Sequence, residues 1–372
     1  MMVTCKRAEL ADAVGGIARV VPPRNPSEAL RCVHLVAEHG VLRLAATDAE
    51  IGLRLVLDSV VVDQDGEALI PADRLAEIVR SCDGESIQLR TDGHKLDVKT
   101  DTGHFVVIGM EPTMATPVAT APEAGDVTLS VSVDAATLRR LVTRTAFAAA
   151  TETSRYAING VLMECTDGRL RMVATDGHRL AVANGRAASA EGSGTAIIPT
   201  KALGVLVRLL DMPEEMVEIR VSRTQAFFRV GTGTNPAELA TRLVEGAFPP
   251  FEDVIPKEQD KRATAAVDVF TRALQQASLY TNKDSKGVRM NFDDGSLTLT
   301  SRVPEEGEAE IKLPLDYEGD PIQIGFNAGY LGEALKVLDE PTLTIELKAE
   351  NKPGVLRTGN DFLYVIMPLH LH

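Results

Sequence analysis

Hydrophobic and polar positions repeat the same order of elements three times along the chain. Apolar residues recur at helical spacing in "AELADAVGGIARVV", "AATLRRLVTRTAFAAA" and "DVFTRALQQASLYT". Each of these segments is followed by alternating apolar and polar positions, which are typical of strands, and then by a second helical pattern and further strands. The sequence therefore predicts an α+β fold in which each third of the chain packs two helices on antiparallel sheet.

Two pairs of segments place the first and second copies 128 residues apart. The segment "GVLRLAATDAEIGLRLVL" aligns with "GRLRMVATDGHRLAVAN", and Thr47 falls opposite Thr175. The segment "EALIPADRLAEIVRSC" aligns with "TAIIPTKALGVLVRLL", and Pro71 falls opposite Pro199. A weaker third copy, "GVRMNFDDGSLTLTSRVPEE", places Thr300 opposite Thr175. We expect the turn after these threonines to be structural in every copy.

The repeat predicts three domains of nearly equal length, residues 1–126, 127–258 and 259–372. Proline-rich segments, "TPVATAPEAGD" and "PPFEDVIPKEQDK", lie close to the two boundaries, and proline clusters between periodic segments are typical of linkers.

Composition indicates an ordinary globular protein of the cytoplasm. Hydrophobic residues make up 44% of the 372 positions, whereas aromatic residues make up 4% and Trp is absent, so aliphatic side chains must form the cores. The four cysteines are far apart and form no C-x-x-C pair, which argues against a zinc site and a disulfide framework. We find no signal peptide and no apolar run of about 20 residues, so we expect no membrane insertion.

The distribution of charge changes the first interpretation of the net charge of −14. Phosphate binding depends on Lys and Arg, so an acidic chain argues against a nucleic-acid partner. The predicted domains, however, carry −8, 0 and −6, and the six predicted helices together contain ten basic and six acidic residues. If the helices share one face, that face is positive and could lie against DNA.

The segments "YAINGVLMECTDGRLRMVATDGHRLAVAN" and "YVIMPLHLH", together with the threefold repeat, resemble the beta subunit of bacterial DNA polymerase III, the sliding clamp. The resemblance covers essentially the whole chain. It implies a protein that is not an enzyme and needs no cofactor or metal. Two protomers would join head to tail in a six-domain ring whose helices line a hole for duplex DNA. The implied partners are DNA polymerase III alpha and other polymerases, mismatch-repair proteins and the clamp loader.

The resemblance also implies a pocket between the second and third domains that binds short peptide segments of these partners. The implied pocket residues are Ile158, Thr175, Gly177, His178, Arg179, Leu180, Pro249, Val254, Val365, Met367, Pro368 and Leu369. Aliphatic side chains and Met offer such peptides an adaptable apolar surface. Asp253 and His370 stand where many clamps carry basic residues, and Leu371 and His372 extend the tail, so the preferred peptide of this chain stays open.

Two further sets of residues follow from the repeat and the resemblance. The residues expected to face DNA are Arg24, Arg74, Arg80, Arg139, Arg140, Arg144, Lys201 and Arg208. The residues expected at the dimer interface are Phe105, Val107, Leu279, Tyr280, Glu305, Glu306 and Glu308. Arg90, Lys95 and Lys99 are expected to oppose these glutamates, and complementary charge of this kind fixes register. Glu152 and Ala157 occupy positions expected near DNA.

Three alternatives stay open at this point. Asp176 and His178 could form an acid–base or metal-binding pair, although a lone Asp-x-His has a high false-positive rate. The chain could be a clamp paralogue that acts as a drug-tolerant or decoy copy. It could also be a monomeric peptide-binding module, which would leave the edge near Leu279 unpaired, as proteins usually avoid.

Overall fold

The computed structural model describes residues 1–22, 24, 26–151, 157–233, 235–282 and 285–371. Six α-helices occur in this described part of the chain, and each coincides with one of the six predicted helical patterns. They are α1 (Arg7–Val20), α2 (Ala72–Ser81), α3 (Ala135–Thr143), α4 (Thr200–Leu206), α5 (Val267–Ala277) and α6 (Ala328–Leu335). No helix within the described residues is long and apolar enough to cross a membrane.

The strands account for most of the remaining regular structure. Those of the first half of the chain are β1 (Met2–Lys6), β2 (Cys32–Glu38), β3 (Val41–Thr47), β4 (Ile51–Leu57), β5 (Val60–Gln64), β6 (Gly66–Pro71), β7 (Ser86–Asp92), β8 (Lys95–Lys99), β9 (His104–Ile108), β10 (Leu129–Asp134), β11 (Gly160–Thr166), β12 (Arg169–Thr175), β13 (Arg179–Arg186) and β14 (Ser189–Gly192). Those of the second half are β15 (Gly194–Pro199), β16 (Met216–Val221), β17 (Gln225–Val230), β18 (Ala237–Arg242), β19 (Lys261–Ala266), β20 (Gly287–Asp293), β21 (Ser296–Val303), β22 (Gly307–Pro314), β23 (Asp316–Glu318), β24 (Ile322–Asn327), β25 (Thr342–Leu347), β26 (Gly354–Thr358) and β27 (Phe362–Ile366).

The chain forms two compact units, and the middle third contributes to both. The first unit comprises residues 1–139, 166–168 and 187–243. It contains a five-stranded sheet in the order β5-β1-β7-β8-β9 and a nine-stranded sheet in the order β14-β10-β16-β17-β18-β4-β3-β2-β6. Because β18 pairs with β4, with Leu239 opposite Leu53, the first and second copies share one sheet.

The second unit comprises residues 140–165, 169–186 and 244–372. Its strands run in the order β11-β12-β13-β27-β26-β25-β19-β23, and a separate four-stranded sheet has the order β22-β21-β20-β24. Here β13 pairs with β27, with Leu180 opposite Val365, so the second and third copies are also joined by a strand ladder.

The 128-residue repeat predicted from sequence is confirmed element by element. Helices α1 and α3 begin 128 residues apart, as do α2 and α4, and the strand pairs β3/β12 and β4/β13 end and begin at the same relative positions. The third copy departs from the prediction. Thr300 lies inside β21, where it pairs with Arg289 and Glu310, so the expected turn after this threonine is absent.

The segment "TPVATAPEAGD" is packed against the sheet rather than free of it. Val118 lies over Gly52 so closely that a Cβ at Gly52 would come within 2.4 Å of its methyl group. The Arg54 guanidinium donates hydrogen bonds to the carbonyl oxygens of Val118 and of Ala119, the latter at 2.9 Å. These contacts anchor the segment to β4, whose glycine leaves room for the valine.

Candidate functional site

The five residues from Thr175 to Arg179, called here the Asp176 turn, join β12 to β13. The Thr175 hydroxyl donates a hydrogen bond to the Arg179 carbonyl (2.6 Å) and accepts one from the Gly177 N–H (3.1 Å). Asp176 Oδ1 accepts hydrogen bonds from the backbone N–H groups of His178 (3.0 Å) and Arg179 (3.1 Å). Gly177 has φ +89°, a left-handed conformation that glycine adopts without strain.

The first copy repeats this turn with the same hydrogen bonds. The Thr47 hydroxyl donates to the Ile51 carbonyl and accepts from the Ala49 N–H, while Asp48 Oδ1 accepts from the N–H groups of Glu50 and Ile51. The Asp of the motif therefore closes a turn in both copies. Since Asp176 also accepts a hydrogen bond from Arg179 Nε at 2.9 Å, its carboxylate has a structural role.

Arg179 connects the Asp176 turn to α6. Its Nη1 bonds to Glu333, its Nη2 donates to the Phe147 carbonyl (2.8 Å), and its Cζ lies 4.3 Å from the centre of the Tyr330 ring. Burial opposes the charged form and lowers the pKa of Arg179, but the hydrogen bond to Glu333 and the contact with Tyr364 outweigh burial and raise that pKa above its usual value. Arg179 is thus a fixed cation whose donors are used inside the protein.

The helix that supports Arg179 is itself well anchored. The Asn327 side chain caps α6 by accepting hydrogen bonds from the N–H groups of Gly329 (2.8 Å) and Tyr330 (3.2 Å). The Tyr364 hydroxyl on β27 donates to the Tyr330 carbonyl (3.0 Å), and burial raises the pKa of Tyr364 so that it remains a neutral donor.

The opposite wall is a short 3₁₀ turn at Phe251–Val254, called here the Phe251 turn. The Phe251 side chain is buried and meets Phe248 edge to face, with the ring centres 6.2 Å apart. Val254, by contrast, is 55% exposed. The turn therefore has an inner anchor and an apolar side chain in solvent.

These two turns and the end of β27 enclose a pocket of about 240 Å³. Its lining residues are Ile158, Thr175, Gly177, His178, Arg179, Leu180, Pro249, Pro250, Phe251, Val254, Val365 and Met367. Ten of the twelve residues expected at the pocket are among them. Pro368 and Leu369 are not, because the chain turns away after Met367, and the Leu369 N–H donates to the Gly325 carbonyl at 2.8 Å. Pro250 and Phe251 were missed by the sequence analysis, although a lone Phe after two prolines was a usable signal in an aromatic-poor chain.

The chemistry of the pocket suits binding rather than bond breaking. Met367 is 45% exposed, and its N–H donates to the His178 carbonyl at 2.9 Å, so a flexible apolar side chain is held at the mouth by a fixed backbone. An extended peptide could place aliphatic side chains inside while its polar atoms meet the exposed backbone of the Asp176 turn.

The basic residues expected to face DNA differ widely in exposure. Arg24, Arg74, Arg80, Lys201 and Arg208 are exposed, whereas Arg139 and Arg140 are half-buried. In the first unit, Arg19, Arg80 and Arg208 line one groove of about 680 Å³, together with acidic residues that include Asp12. Lys201 pairs with Asp48, and Arg139 donates to the Leu210 carbonyl at 3.0 Å.

Arg144 corrects the prediction that all eight basic residues face DNA. Its side chain is only 3% exposed, and its Nη2 bonds to both carboxylate oxygens of Glu340. Ala157 is likewise buried, and Glu152 lies outside the described residues.

Comparison with known proteins identifies the family. Residues 1–114, 132–250 and 252–370 match the N-terminal, central and C-terminal domains of the DNA polymerase III beta subunit. The beta sliding clamps of Pseudomonas putida and Caulobacter vibrioides are 34% and 32% identical, and each alignment covers 100% of both chains. A crystal structure of the Pseudomonas aeruginosa sliding clamp bound to griselimycin has 31% identity and a TM-score of 0.89 over 100% of both chains. The chain belongs to the beta sliding clamp family.

Membership in the sliding clamp family establishes the general role. The chain is a processivity factor of DNA replication and not an enzyme, in agreement with the structural role of Asp176. The family models also match three successive domains, as the repeat predicted, while the boundaries at 126/127 and 258/259 stay predictions.

The residues expected at the clamp's dimer interface lie on or beside two sheet edges. β9 is the last strand of the five-stranded sheet, and β22 is the last strand of the four-stranded sheet. Phe105 is 37% exposed on β9, and Leu279 and Tyr280 are 77% and 37% exposed beside β22. Glu305, Glu306 and Glu308 are exposed as well. Val107 is a correction, because it is only 4% exposed and packs into its own sheet, whereas Val106 and Ile108 are exposed.

Proposed function

We propose that two copies of this chain join head to tail into a ring that encircles duplex DNA and tethers replication and repair proteins through the Met367 pocket. The observation that carries the proposal is the pocket itself: ten residues that the clamp resemblance singled out, from four separate stretches of sequence, line one apolar cavity. The family assignment gives this cavity its context.

The two sheet edges support ring closure. Each edge offers unpaired backbone groups along a strand, and exposed strand edges favour pairing with another chain. The β9 edge carries the apolar Phe105, Val106 and Ile108, while Leu279 and Tyr280 are apolar groups beside β22. Lys95 and Lys99 on the strand next to β9 complement the glutamates around β22. A contact between two different surfaces closes into a ring when its rotation allows.

The groove lined by Arg19, Arg80 and Arg208 supports a DNA-facing role for the helices of the first unit. A ring holds DNA by topology, so weak and water-mediated phosphate contacts are enough, and the acidic residues in the same groove keep those contacts weak. Arg24, Arg74, Lys201, Arg139 and Arg140 are the further candidates for this surface.

The pocket would bind peptide segments of DNA polymerase III alpha, other polymerases, mismatch-repair proteins and the clamp loader, and the clamp would act in the cytoplasm. A partner held on the ring has a high effective concentration at the DNA, and no new chemistry is required. The four buried, reduced cysteines are consistent with that compartment.

The experiment is to load the purified protein onto nicked circular DNA with the host's clamp loader and ATP, remove free protein, and then linearise half of the sample. We expect retention on circles and loss from linear ends, because a ring slides off. Equal retention on both forms would mean ordinary affinity binding and would contradict the ring. Griselimycin, which the Pseudomonas aeruginosa clamp binds, serves as a separate probe of ligand binding by this chain.

A further inference from the structure

Arg171, in the middle of β12, joins three elements behind the pocket. Its Nη2 and Nε lie 2.6 and 2.7 Å from Glu164 Oε2 on the neighbouring strand β11. Its Nη2 also lies 3.0 Å from Glu252 Oε1 on the Phe251 turn. Its Cζ lies 5.1 Å from the centre of the Phe251 ring, within the range of a cation–π contact. One guanidinium thus bonds to the sheet and covers the aromatic anchor of the turn.

The Phe251 turn depends on such side-chain contacts because its own backbone is weakly tied. The Asp253 and Ile255 N–H groups donate to the Pro250 and Glu252 carbonyls, both at 3.4 Å and both within the segment. These bonds are long and do not join the turn to a strand. The contacts of Phe251 with Phe248 and of Arg171 with Phe251 and Glu252 therefore determine where this wall stands.

We propose that Arg171 is a positioning residue that holds the Phe251 turn in its peptide-binding position. This inference rests on the proposed function of the pocket and adds a residue that lies outside its lining. Holding Phe251 and Val254 in place before a partner arrives removes an ordering cost from binding. A pocket that is correctly formed only part of the time binds with an apparent affinity reduced by that fraction.

The charges around Arg171 predict a graded series of variants. Glu164 is 22% exposed, whereas Glu252 is 66% exposed and therefore well screened by water. Arg171→Met removes both ion pairs and the stacked guanidinium but keeps an unbranched apolar chain. Glu164→Gln should have an intermediate effect and Glu252→Gln the smallest. Arg171→Lys keeps the charge but lacks the planar group, so it should restore only part of the loss.

The test measures the affinity of the full-length protein for the host's purified DNA polymerase III alpha subunit. Arg169→Met is the matched control, because Arg169 is an exposed residue two positions earlier on the same strand. We expect Arg171→Met to weaken binding about fivefold to tenfold while its melting temperature stays close to that of the control. The ¹³C-methyl resonance of Met367 should shift in Arg171→Met without partner, which reports the displaced wall directly.

Two results would overturn the proposal. Binding by Arg171→Met as tight as by Arg169→Met would show that the turn is positioned without Arg171. A loss of affinity that merely follows a large fall in melting temperature, with an unchanged Met367 resonance at low temperature, would assign Arg171 to global stability. Failure of the unaltered protein to bind the alpha subunit is a different outcome, because it would contradict the proposed function of the pocket itself.

Discussion

Arg144 at the end of the α3 segment and Glu340 before β25 form a close ion pair in which one nitrogen, Nη2, lies 2.7 and 2.8 Å from the two carboxylate oxygens. The guanidinium also lies 5.7 Å from the centre of the Phe362 ring. Its Nε is buried and has no hydrogen-bond partner. Arg144 therefore contributes to the interior of the second unit, although its place in a basic helix suggested contact with DNA.

Substitution of Arg144 tests this assignment. Arg144→Met should lower the free energy of unfolding by about 2–3 kcal/mol, because breaking a buried pair leaves Glu340 without its partner. Arg208→Met, at an exposed site, should change it by less than about 0.5 kcal/mol and should weaken DNA contact instead. Urea denaturation of both variants makes the comparison, and equal stability of the two would show that the ion pair contributes nothing measurable.

The same pair predicts a dependence of stability on pH. Burial raises the pKa of Glu340, but hydrogen bonds from Arg144 outweigh it and hold the pKa below the ordinary value of 4.5. A carboxyl with a lowered pKa stabilises the fold above its unfolded value and loses that contribution as the pH falls through the folded value. The stability advantage of the unaltered protein over Glu340→Gln should therefore be full at pH 7 and shrink below about pH 4.5. An advantage that is constant from pH 7 to pH 3 would exclude this explanation.

The repeated turn supplies a reciprocal pair of substitutions. Ala49 has φ +79° and Gly177 has φ +89° in turns with the same hydrogen bonds. No neighbouring atom lies within 4 Å of a Cβ at Gly177, so Gly177→Ala adds only backbone strain and should cost about 1 kcal/mol. Ala49→Gly relieves the same strain and should be neutral or slightly stabilising, since it also loosens the unfolded chain. Thermal denaturation measures both, and a stabilising Gly177→Ala would contradict the strain argument.

The proposed ring seam can be weakened without damage to the folded chain. Leu279→Ala with Tyr280→Ala removes exposed apolar groups beside β22, so the dimer should dissociate at higher protein concentration while each chain stays folded. Met212→Ala removes an equally exposed apolar group, 68% exposed in the first unit, and should leave the dimer unchanged. Sedimentation equilibrium over a concentration series decides the question. A monomer mass for the unaltered protein at every concentration would favour the monomeric binding module.

The tail should affect binding and stability through different residues. Met367→Ala removes a half-exposed pocket side chain, so we expect at least a fivefold weaker affinity for the alpha subunit with little change in stability. Deletion of residues 367–372 should cost stability as well, because Leu371 fills the space over Gly287 and Gly325 and its carbonyl accepts a hydrogen bond from Arg289 at 2.7 Å. Isothermal calorimetry and melting curves separate the two effects. Unchanged affinity in both variants would refute the pocket assignment.

Sequence reasoning succeeded where one residue type meets one local requirement, and failed where the answer depends on which side of an element faces inward. The 128-residue offset located four helices, and the Asp176 turn follows from Thr, Asp and Gly at fixed spacing. Counting charges along helices could not separate Arg144 from Arg140, because burial depends on tertiary packing. The apolar run from Phe105 to Ile108 has no alternation, so it gave no indication that Val107 points inward. Arg171 gave no signal at all, since its contacts join residues from two strands and a distant turn.

Strand ladders also join the copies within each chain, β4 with β18 and β13 with β27, and this has a mechanical consequence. Pulling those copies apart would require a whole row of backbone hydrogen bonds to break together, as in tearing a sheet. A contact between edges of separate chains has no covalent connection and fewer bonds to lose. Any protein that pries such a ring open should therefore concentrate its force at a seam between chains, and the covalent junctions should bend as springs while the seam parts.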